Sequence, residues 1–346
     1  MTDIHIRTQG QTGRITFTRP KALNAMSYDM CTAIEDALDG WAEDDTIKLL
    51  IIDAEGDKAF CAGGDIAELY ETGTSSNYAY GQTFWADEYR MNAKMFAFPK
   101  PVASFMQGFT MGGGVGVGCH GSHRIVGDTS QIAMPECGIG LVPDVGGSLI
   151  LSRAPGRLGE YLGLTAARLS AGDAIHAGFA DYYIPEADWP ALITKLEETA
   201  DWSLIDAAAR HIDPGPIARQ SAEIDAHFGG ETLRDILNAL AAAETSFASD
   251  TIKKMSRNSP LAMGCALEII HRVRARADMH FALDQEYRFT YRAMEHGDFL
   301  EGVRAQIIDK DRNPQWKHDM HALSQMDVTN MLMPLGASKL TFEKGE

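Results

Sequence analysis

Residues 108–147, GFTMGGGVGVGCHGSHRIVGDTSQIAMPECGIGLVPDVGG, crowd glycine directly behind the short apolar run VASFM at 102–106. Glycine loses more freedom on folding than any other residue and brings no side chain to pack. A chain carries so much of it where backbone must pass close to backbone, or close to a ligand. After the Asp128 turn, the only carboxylates in this stretch are Glu136 and Asp144. Any account of the chain has to explain that much bare main chain next to two acids.

Around the tract, strand-like and helix-like patterns alternate. RITFTRP (14–20) reads as a strand, and SYDMCTAIEDALDGW (27–41) sets Met30, Ile34, Ala37, Leu38 and Trp41 on one helical face with Ser27 as N-cap. IKLLIID (47–53) and KPVASFMQG (100–108) are apolar runs suited to buried strands, and HRIVGD returns to strand-like residues soon after the glycines. This alternation predicts an α/β fold built from repeated strand and helix units. Beyond YYIPEADWP (182–190) strand signals stop, IDPGP (212–216) reads as a hinge, and helices are expected over 231–249, 261–279 and 281–297. The expected division is a core with the functional site at 1–205 and a mainly helical region at 206–346.

Charge narrows the partners. Forty-eight acidic residues against 31 basic ones give a formal charge of −17, a poor match for nucleic acid or an anionic membrane surface, so neither is expected as a partner. MTDIHIRTQGQTG at the start has no apolar signal-peptide core, and a cytoplasmic chain is the expectation. Cysteines 31, 61, 119, 137 and 265 form no CxxC pair and are odd in number, which favours reduced thiols.

Four readings of the tract compete. Gly116, Gly118 and Gly121 satisfy GxGxxG, but the return to strand leaves no room for the helix a dinucleotide turn must open. No Lys-Ser or Lys-Thr follows the glycines, which removes a phosphate loop. Cys119, His120 and His123 lack the spacing of a zinc site, and helix-borne or exposed histidines are the plainer reading, so no metal is expected. The fourth reading is that amides are aimed at a ligand. An oxyanion hole needs two donors from separate turns, and KAFCAGGDI (58–66) supplies a second glycine turn, which follows the buried run 47–53 as 112–114 follows the run 101–107 and is expected at the same edge of the sheet. Either glycine pair alone is also an ordinary tight turn.

At these residues the chain resembles the crotonase (enoyl-CoA hydratase/isomerase) superfamily. RPKALNAMSYDM, KAFCAGGDIAEL, GFTMGGGVGVG and MPECGIGLVPDVGG are similar to its main signatures, in its order. The resemblance implies a crotonase-type spiral of ββα units with a helical C-terminal region, an acyl-CoA thioester as substrate, and a homo-oligomer, since members commonly form trimers. It implies no cofactor beyond the CoA that belongs to the substrate. Carried over position by position, the oxyanion amides would be those of Gly64 and Gly113, and the turn around Ala62, Asp65 and Ile66 would take the adenine end of CoA through backbone atoms.

The acids choose the branch. Hydratases of the superfamily carry one catalytic glutamate shortly after the triple glycine and a second in the PE motif. Here the first position is Gly116 and only Glu136 remains. Asp144 stands eight residues further on, where hydratases usually have glycine. That pattern resembles the 3-hydroxyisobutyryl-CoA hydrolase branch, as do FWADEYRMN (84–92), whose Glu88 would contact substrate, RLGEYLGLTAARLSAGDAIHAGFADYYIP (157–185) and LDQEYRFTYRAMEHGDFLEGVRAQIIDKDRNPQWK (283–317). The implied activity is thioester hydrolysis in valine breakdown, with Glu136 as nucleophile or general base and Asp144 orienting the water or the substrate hydroxyl. Other crotonase chemistry, or acyl-CoA binding without catalysis, are the alternatives.

Plain structural roles exist for the same residues. Asp144 in PDVGG also fits a turn aspartate, Asp65 a helix N-cap for IAELY, Glu88 a solvated helix face, and Cys61 an inert buried thiol. Arg19, Lys21, Lys58 and Lys94 are the cations nearest the motifs in sequence.

Overall fold

The computed structural model describes residues 3–343. The chain divides into two compact units that interleave along the sequence. One holds Met1–Asp65, Arg90–Ala133 and Arg168–Arg219, and the other holds Ile66–Tyr89, Met134–Ala167 and Gln220–Glu346.

Among the described residues all the strands lie in the first unit. They are β1 (Ile4–Gln9), β2 (Thr12–Phe17), β3 (Leu49–Ala54), β4 (Ala59–Cys61), β5 (Val102–Met106), β6 (Phe109–Met111), β7 (His123–Val126), β8 (Gln131–Ala133) and β9 (Tyr182–Tyr183). β1 and β2 form an antiparallel hairpin in which Gln9 faces Thr12, and Gly10 turns the chain with φ +59°. From β2 onward every pairing in that sheet is parallel, in the order β1-β2-β3-β5-β7-β9. The remaining strands form a second parallel sheet, β4-β6-β8. In each of the pairs β3/β4, β5/β6 and β7/β8 the first strand joins the large sheet and the second the small one. Successive pairs step along both sheets in register, which is how a ββα repeat winds.

β3 shows why these strands form where they do. Leu49, Leu50, Ile51 and Ile52 are all buried, so both faces of the strand are covered and the sequence is continuously apolar instead of alternating. One face packs on the helix Trp189–Thr199 through Leu49, Ile51, Phe105, Ile125, Trp189, Leu192 and Leu196, with the Phe105 and Trp189 rings 5.4 Å apart, edge to face. The helix Tyr28–Glu43 starts as expected: Ser27 Oγ accepts from Met30 N–H, and Met30, Ile34, Leu38 and Trp41 are buried.

Helices make up the second unit. The stretch 231–249, expected as one helix, is two, Leu233–Ala242 and Ser246–Met255, because Glu244 takes φ +42° and Thr245 caps a fresh start by accepting from Ala248 N–H. The next two run over Pro260–Ala275 and Met279–Ala293, starting slightly before the expected 261 and 281 and ending before the expected 279 and 297. Among the described residues no helix is long and apolar enough to cross a membrane.

Candidate active site

Within the first unit, both glycine turns leave the carboxyl end of the small sheet. Gly63 and Gly64 follow β4 and Gly112–Gly114 follow β6, whereas the sequence pattern had placed them after the neighbouring runs 47–53 and 101–107, which are in the large sheet. β4 and β6 are parallel, so the turns are neighbours. Gly63 has φ +118°, and a Cβ on it would meet Met111 O at 3.5 Å. A Cβ on Gly114 would lie 2.1 Å from Cys61 O, a position only a hydrogen can fill.

The amide directions follow from local geometry. Met26 N–H donates to Gly63 O (2.9 Å) and Asp65 N–H donates to Met26 O (2.8 Å). This parallel bridge flanks Gly64 and turns its own N–H away from Met26. Gly112 is the N-cap of the short helix Gly113–Gly118 with φ +50° and ψ −120°, so Gly113 N–H belongs to the first turn and has no intrahelical acceptor. Among the described residues neither amide has a protein acceptor.

The segment before the helix Tyr28–Glu43 props the first turn. Leu23 and Asn24 take left-handed backbone, and buried Asn24 donates its amide to Glu55 O (3.0 Å) and Ala59 O (2.8 Å) while accepting from Arg19 N–H. Ala62 N–H donates to Leu23 O (3.0 Å). With the N–H groups of Ala62 and Asp65 both engaged, only their carbonyls are left for a ligand's donors.

Asp65 does not cap a helix. Its carboxylate takes Arg19 Nη2 at 3.1 Å, and the helix Ala67–Thr74 starts after Ile66 without a side-chain cap. Cys61 is fully buried with its thiol toward Gly63 O, in keeping with an inert role. Of the histidines expected on a helix or exposed, His120 is buried against the edge of Phe96, and His123 lies in β7, stacked on Tyr182. Arg19 and Lys94 are taken up by acids, whereas Lys21 and Lys58 line a surface cavity of about 240 Å³ with Glu55 and Asp57.

The second unit gathers four buried carboxyl groups. Glu136 opens the short helix Glu136–Ile139, Asp144 sits in the loop after it, Glu88 lies on the helix Tyr78–Phe96, and Glu286 lies on Met279–Ala293. All four are at most 4% exposed, so Glu88 is not on a solvated face. The Glu136 turn is clamped by main chain on two sides. Gly140 (φ +74°) would bring a Cβ within 2.5 Å of the Asp298 backbone, and Cys137 O accepts from Ser259 N–H at 2.9 Å. Asp144 Oδ2 accepts the Tyr89 hydroxyl at 2.7 Å, and Asp144 O also closes a turn to Gly147 N–H, so the turn reading and the buried carboxylate coexist. The next residue, Val145, holds φ +52°, rare for a β-branched side chain and costing on the order of 1–3 kcal/mol.

Burial without a counter-ion sets the electrostatics. It raises the Glu136 and Glu88 carboxyls well above the usual range, with the Asp144 charge adding to both. It lifts Asp144 to about 7 against the Tyr89 hydrogen bond, and Glu286 to about 8 despite its donors. Burial alone does not decide the direction. Glu160 is equally buried, yet Arg274 and His271 overcome that burial and hold it at about 2. In the nest, Glu136 Oε2 and Glu88 Oε1 have no hydrogen-bond partner among the described residues, leaving two acceptors for groups outside the protein. Among those residues no three or more His, Cys, Asp or Glu side chains are arranged to hold a metal.

Tyr89 and Glu286 were not singled out from sequence. Both lie inside segments that carry the resemblance, but on helical patterns a lone Tyr or Glu carries no signal of burial.

A family model described as enoyl-CoA hydratase/isomerase matches residues 12–332. The chain belongs to this family. As an enoyl-CoA hydratase/isomerase family chain it is 36% identical over 319 residues to the 3-hydroxyisobutyryl-CoA hydrolase, mitochondrial, of Danio rerio, covering 89% of this chain and 83% of that one. The Homo sapiens protein of the same name is 33% identical over 352 residues, covering 98% and 91%. A crystal structure of an enoyl-CoA hydratase from Rhodobacter sphaeroides 2.4.1 superposes with a TM-score of 0.95 at 54% identity, over 98% of this chain and 100% of that chain. The mixed α/β architecture with parallel sheets is the crotonase fold that the sequence implied.

Proposed function

We propose that this chain is a 3-hydroxyisobutyryl-CoA hydrolase, a thioesterase that releases CoA and a small 3-hydroxy acid, with a place in valine catabolism. The observation that carries the reading is the pairing of buried Glu136 with Asp144 while Gly116 occupies the other acid position of a hydratase. The curated relatives at 33–36% identity support it.

In this reading the thioester oxygen sits between the Gly64 and Gly113 amides. Each donor aimed at the developing oxyanion is worth about 2.7–4 kcal/mol. Glu136 offers its free Oε2 to the reaction in one of two ways: it takes the proton of an attacking water, or attacks the carbonyl carbon itself and forms an anhydride that water then opens. Single turnover in ¹⁸O-water tests for the second, because label in the Glu136 carboxyl requires an anhydride opened by water at the Glu136 carbon, whereas water activated by Glu136 puts label only in the released acid. Asp144, fixed by Tyr89, orients the water or the 3-hydroxyl. Glu88 presents its free Oε1 to the acyl group. Backbone atoms of Ala62, Asp65 and Ile66 hold the adenine, the first two through their carbonyls, since the Ile66 carbonyl already accepts from Tyr70 N–H, and no cofactor is required. We read the chain as a homo-oligomer, on its resemblance to the family.

A hydratase reading draws on the 54% identity to the Rhodobacter sphaeroides protein. Adding water across a double bond by the two-acid route needs a second carboxylate where Gly116 stands, and buried Gly116 cannot supply it.

Release of free thiol tests the reading. With 3-hydroxyisobutyryl-CoA, 3-hydroxypropionyl-CoA and crotonyl-CoA as a panel, the two 3-hydroxyacyl esters should liberate CoA and crotonyl-CoA should not. Consumption of crotonyl-CoA without thiol release would replace this reading with hydration, and ligand-induced thermal stabilisation without turnover would replace it with a binder. The acid nest adds a pH signature. Its members titrate together, and the reactive Glu136, raised by burial and by the Asp144 charge, works ionised, so the acid limb of kcat/KM should lie well above the ordinary carboxylate range. An acid limb near the ordinary carboxylate value would remove the nest from the mechanism.

A further inference from the structure

We propose that Glu286 is a positioning residue for hydrolysis: its carboxylate ties down the loop carrying Asp144 and so aims Asp144 at the attacking water. Glu286 is completely buried. Its Oε2 accepts from Gly146 N–H at 2.9 Å, and its Oε1 accepts from Ser148 N–H at 3.1 Å and from the Ser148 hydroxyl. These donors begin two residues after Asp144. Between them and Asp144 the backbone runs left-handed twice in succession, at Val145 (φ +52°) and Gly146 (φ +79°). A β-branched residue keeps that conformation only where its surroundings over-determine it, and Glu286 is the side chain that grips the loop immediately beyond.

The same helix face controls the other side of Asp144. Thr290, one turn after Glu286, has its Oγ1 3.4 Å from the Tyr89 hydroxyl, which donates to Asp144 Oδ2. The helix Met279–Ala293 therefore holds the Asp144 main chain through Glu286 and supports the Asp144 carboxylate through Thr290 and Tyr89.

Two acceptor oxygens are needed because the Gly146 and Ser148 groups that meet this side chain all donate. A glutamine of the same shape has one acceptor oxygen, and its amide nitrogen would face an N–H. Glu286 also belongs to the electrostatics of the nest. Glu88 and Tyr89 come from the helix Tyr78–Phe96, Glu136 from Glu136–Ile139, Asp144 from the loop, and Tyr287 is the neighbour on its own helix. Its charge raises Glu136 and Tyr89.

The inference rests on the hydrolase reading. The experiment compares the unaltered chain, Glu286→Gln and Ser148→Ala with 3-hydroxyisobutyryl-CoA, recording kcat, KM, the pH profile and the melting temperature. Glu286→Gln should lose on the order of 100-fold in kcat with KM little changed, as expected for a reacting group slightly misplaced. Its acid limb should move to lower pH, because one buried acid has left the nest. Ser148→Ala removes one donor and keeps the carboxylate. It should lose less kcat, leave the limb in place, and carry the test if the glutamine variant does not fold. A folded Glu286→Gln with normal kcat, a kcat loss with an unmoved limb, or a Ser148→Ala chain with unchanged kcat would overturn the proposal. Absence of thiol release from the unaltered chain would instead sink the hydrolase reading beneath it.

Discussion

Glu136→Gln should abolish hydrolysis of 3-hydroxyisobutyryl-CoA, lowering kcat by about 10²–10⁴-fold, while CoA esters still raise the melting temperature of the variant. The amide keeps the shape of the side chain and its place at the head of the short helix Glu136–Ile139. What it loses is the basic oxygen. Oε2 of Glu136 is buried with no partner among the described residues, so the substitution breaks no structural hydrogen bond at that atom and relieves a buried acid. The variant should therefore be at least as stable as the parent. A chain that is inactive because it is unfolded would miss this, and near-normal turnover would remove Glu136 from the chemistry altogether.

Gly114→Ala should be nearly as damaging from a position that touches no substrate. Its Cβ would lie 2.1 Å from the carbonyl oxygen of Cys61, a backbone atom that cannot step aside like a flexible side chain. Cys61 ends the strand that leads into the Gly63–Gly64 turn, and Gly114 follows Gly113. The added methyl must push the two turns apart, and with them the two amides proposed to share one oxygen. We expect a kcat loss on the order of 100-fold, together with about 1–3 kcal/mol of lost stability from overpacking. Gly40→Ala is the matched control. It lies in the helix Tyr28–Glu43 with nothing within 4 Å of the added carbon, and helix propensity predicts a gain of about 0.5–1 kcal/mol. A Gly114→Ala chain with parental kcat would show that the spacing of the turns does not matter.

Much of this was legible in the sequence because the signals were local. The Ser27 cap, the continuous apolar run of β3 and the two glycine turns are each decided by a few adjacent residues. The assignment of the turns to one sheet edge was right about proximity and wrong about the sheet. β4 and β6 are only three residues long, too short to separate by pattern from the longer strands before them. The helix break at Glu244 was missed because the apolar periodicity continues across it, and only the second cap at Thr245 announces a new start.

In the site, Glu136 and Asp144 stood out because glycine surrounds them. Glu88 was reached only through the resemblance and Glu286 not at all, since a glutamate on an amphipathic helix reads as a solvated residue until tertiary packing covers it. Likewise, Arg19 finds Asp65 and Lys94 finds Glu35 and Asp39, all far along the chain, and no spacing rule reaches that far.

The covered acids give the folded chain a debt that falls due in alkali. Asp144 at about 7 and Glu286 at about 8 hold protons that the same side chains would give up when solvated near 3.8 and 4.5. Unfolding at neutral pH thus expels hydrogen ions. The contribution of these groups to stability is full below the solvated values and drains away as pH climbs toward 8. Readiness to catalyse and resistance to denaturation pull against each other in one handful of carboxyls, and mild acidity favours the second at the expense of the first.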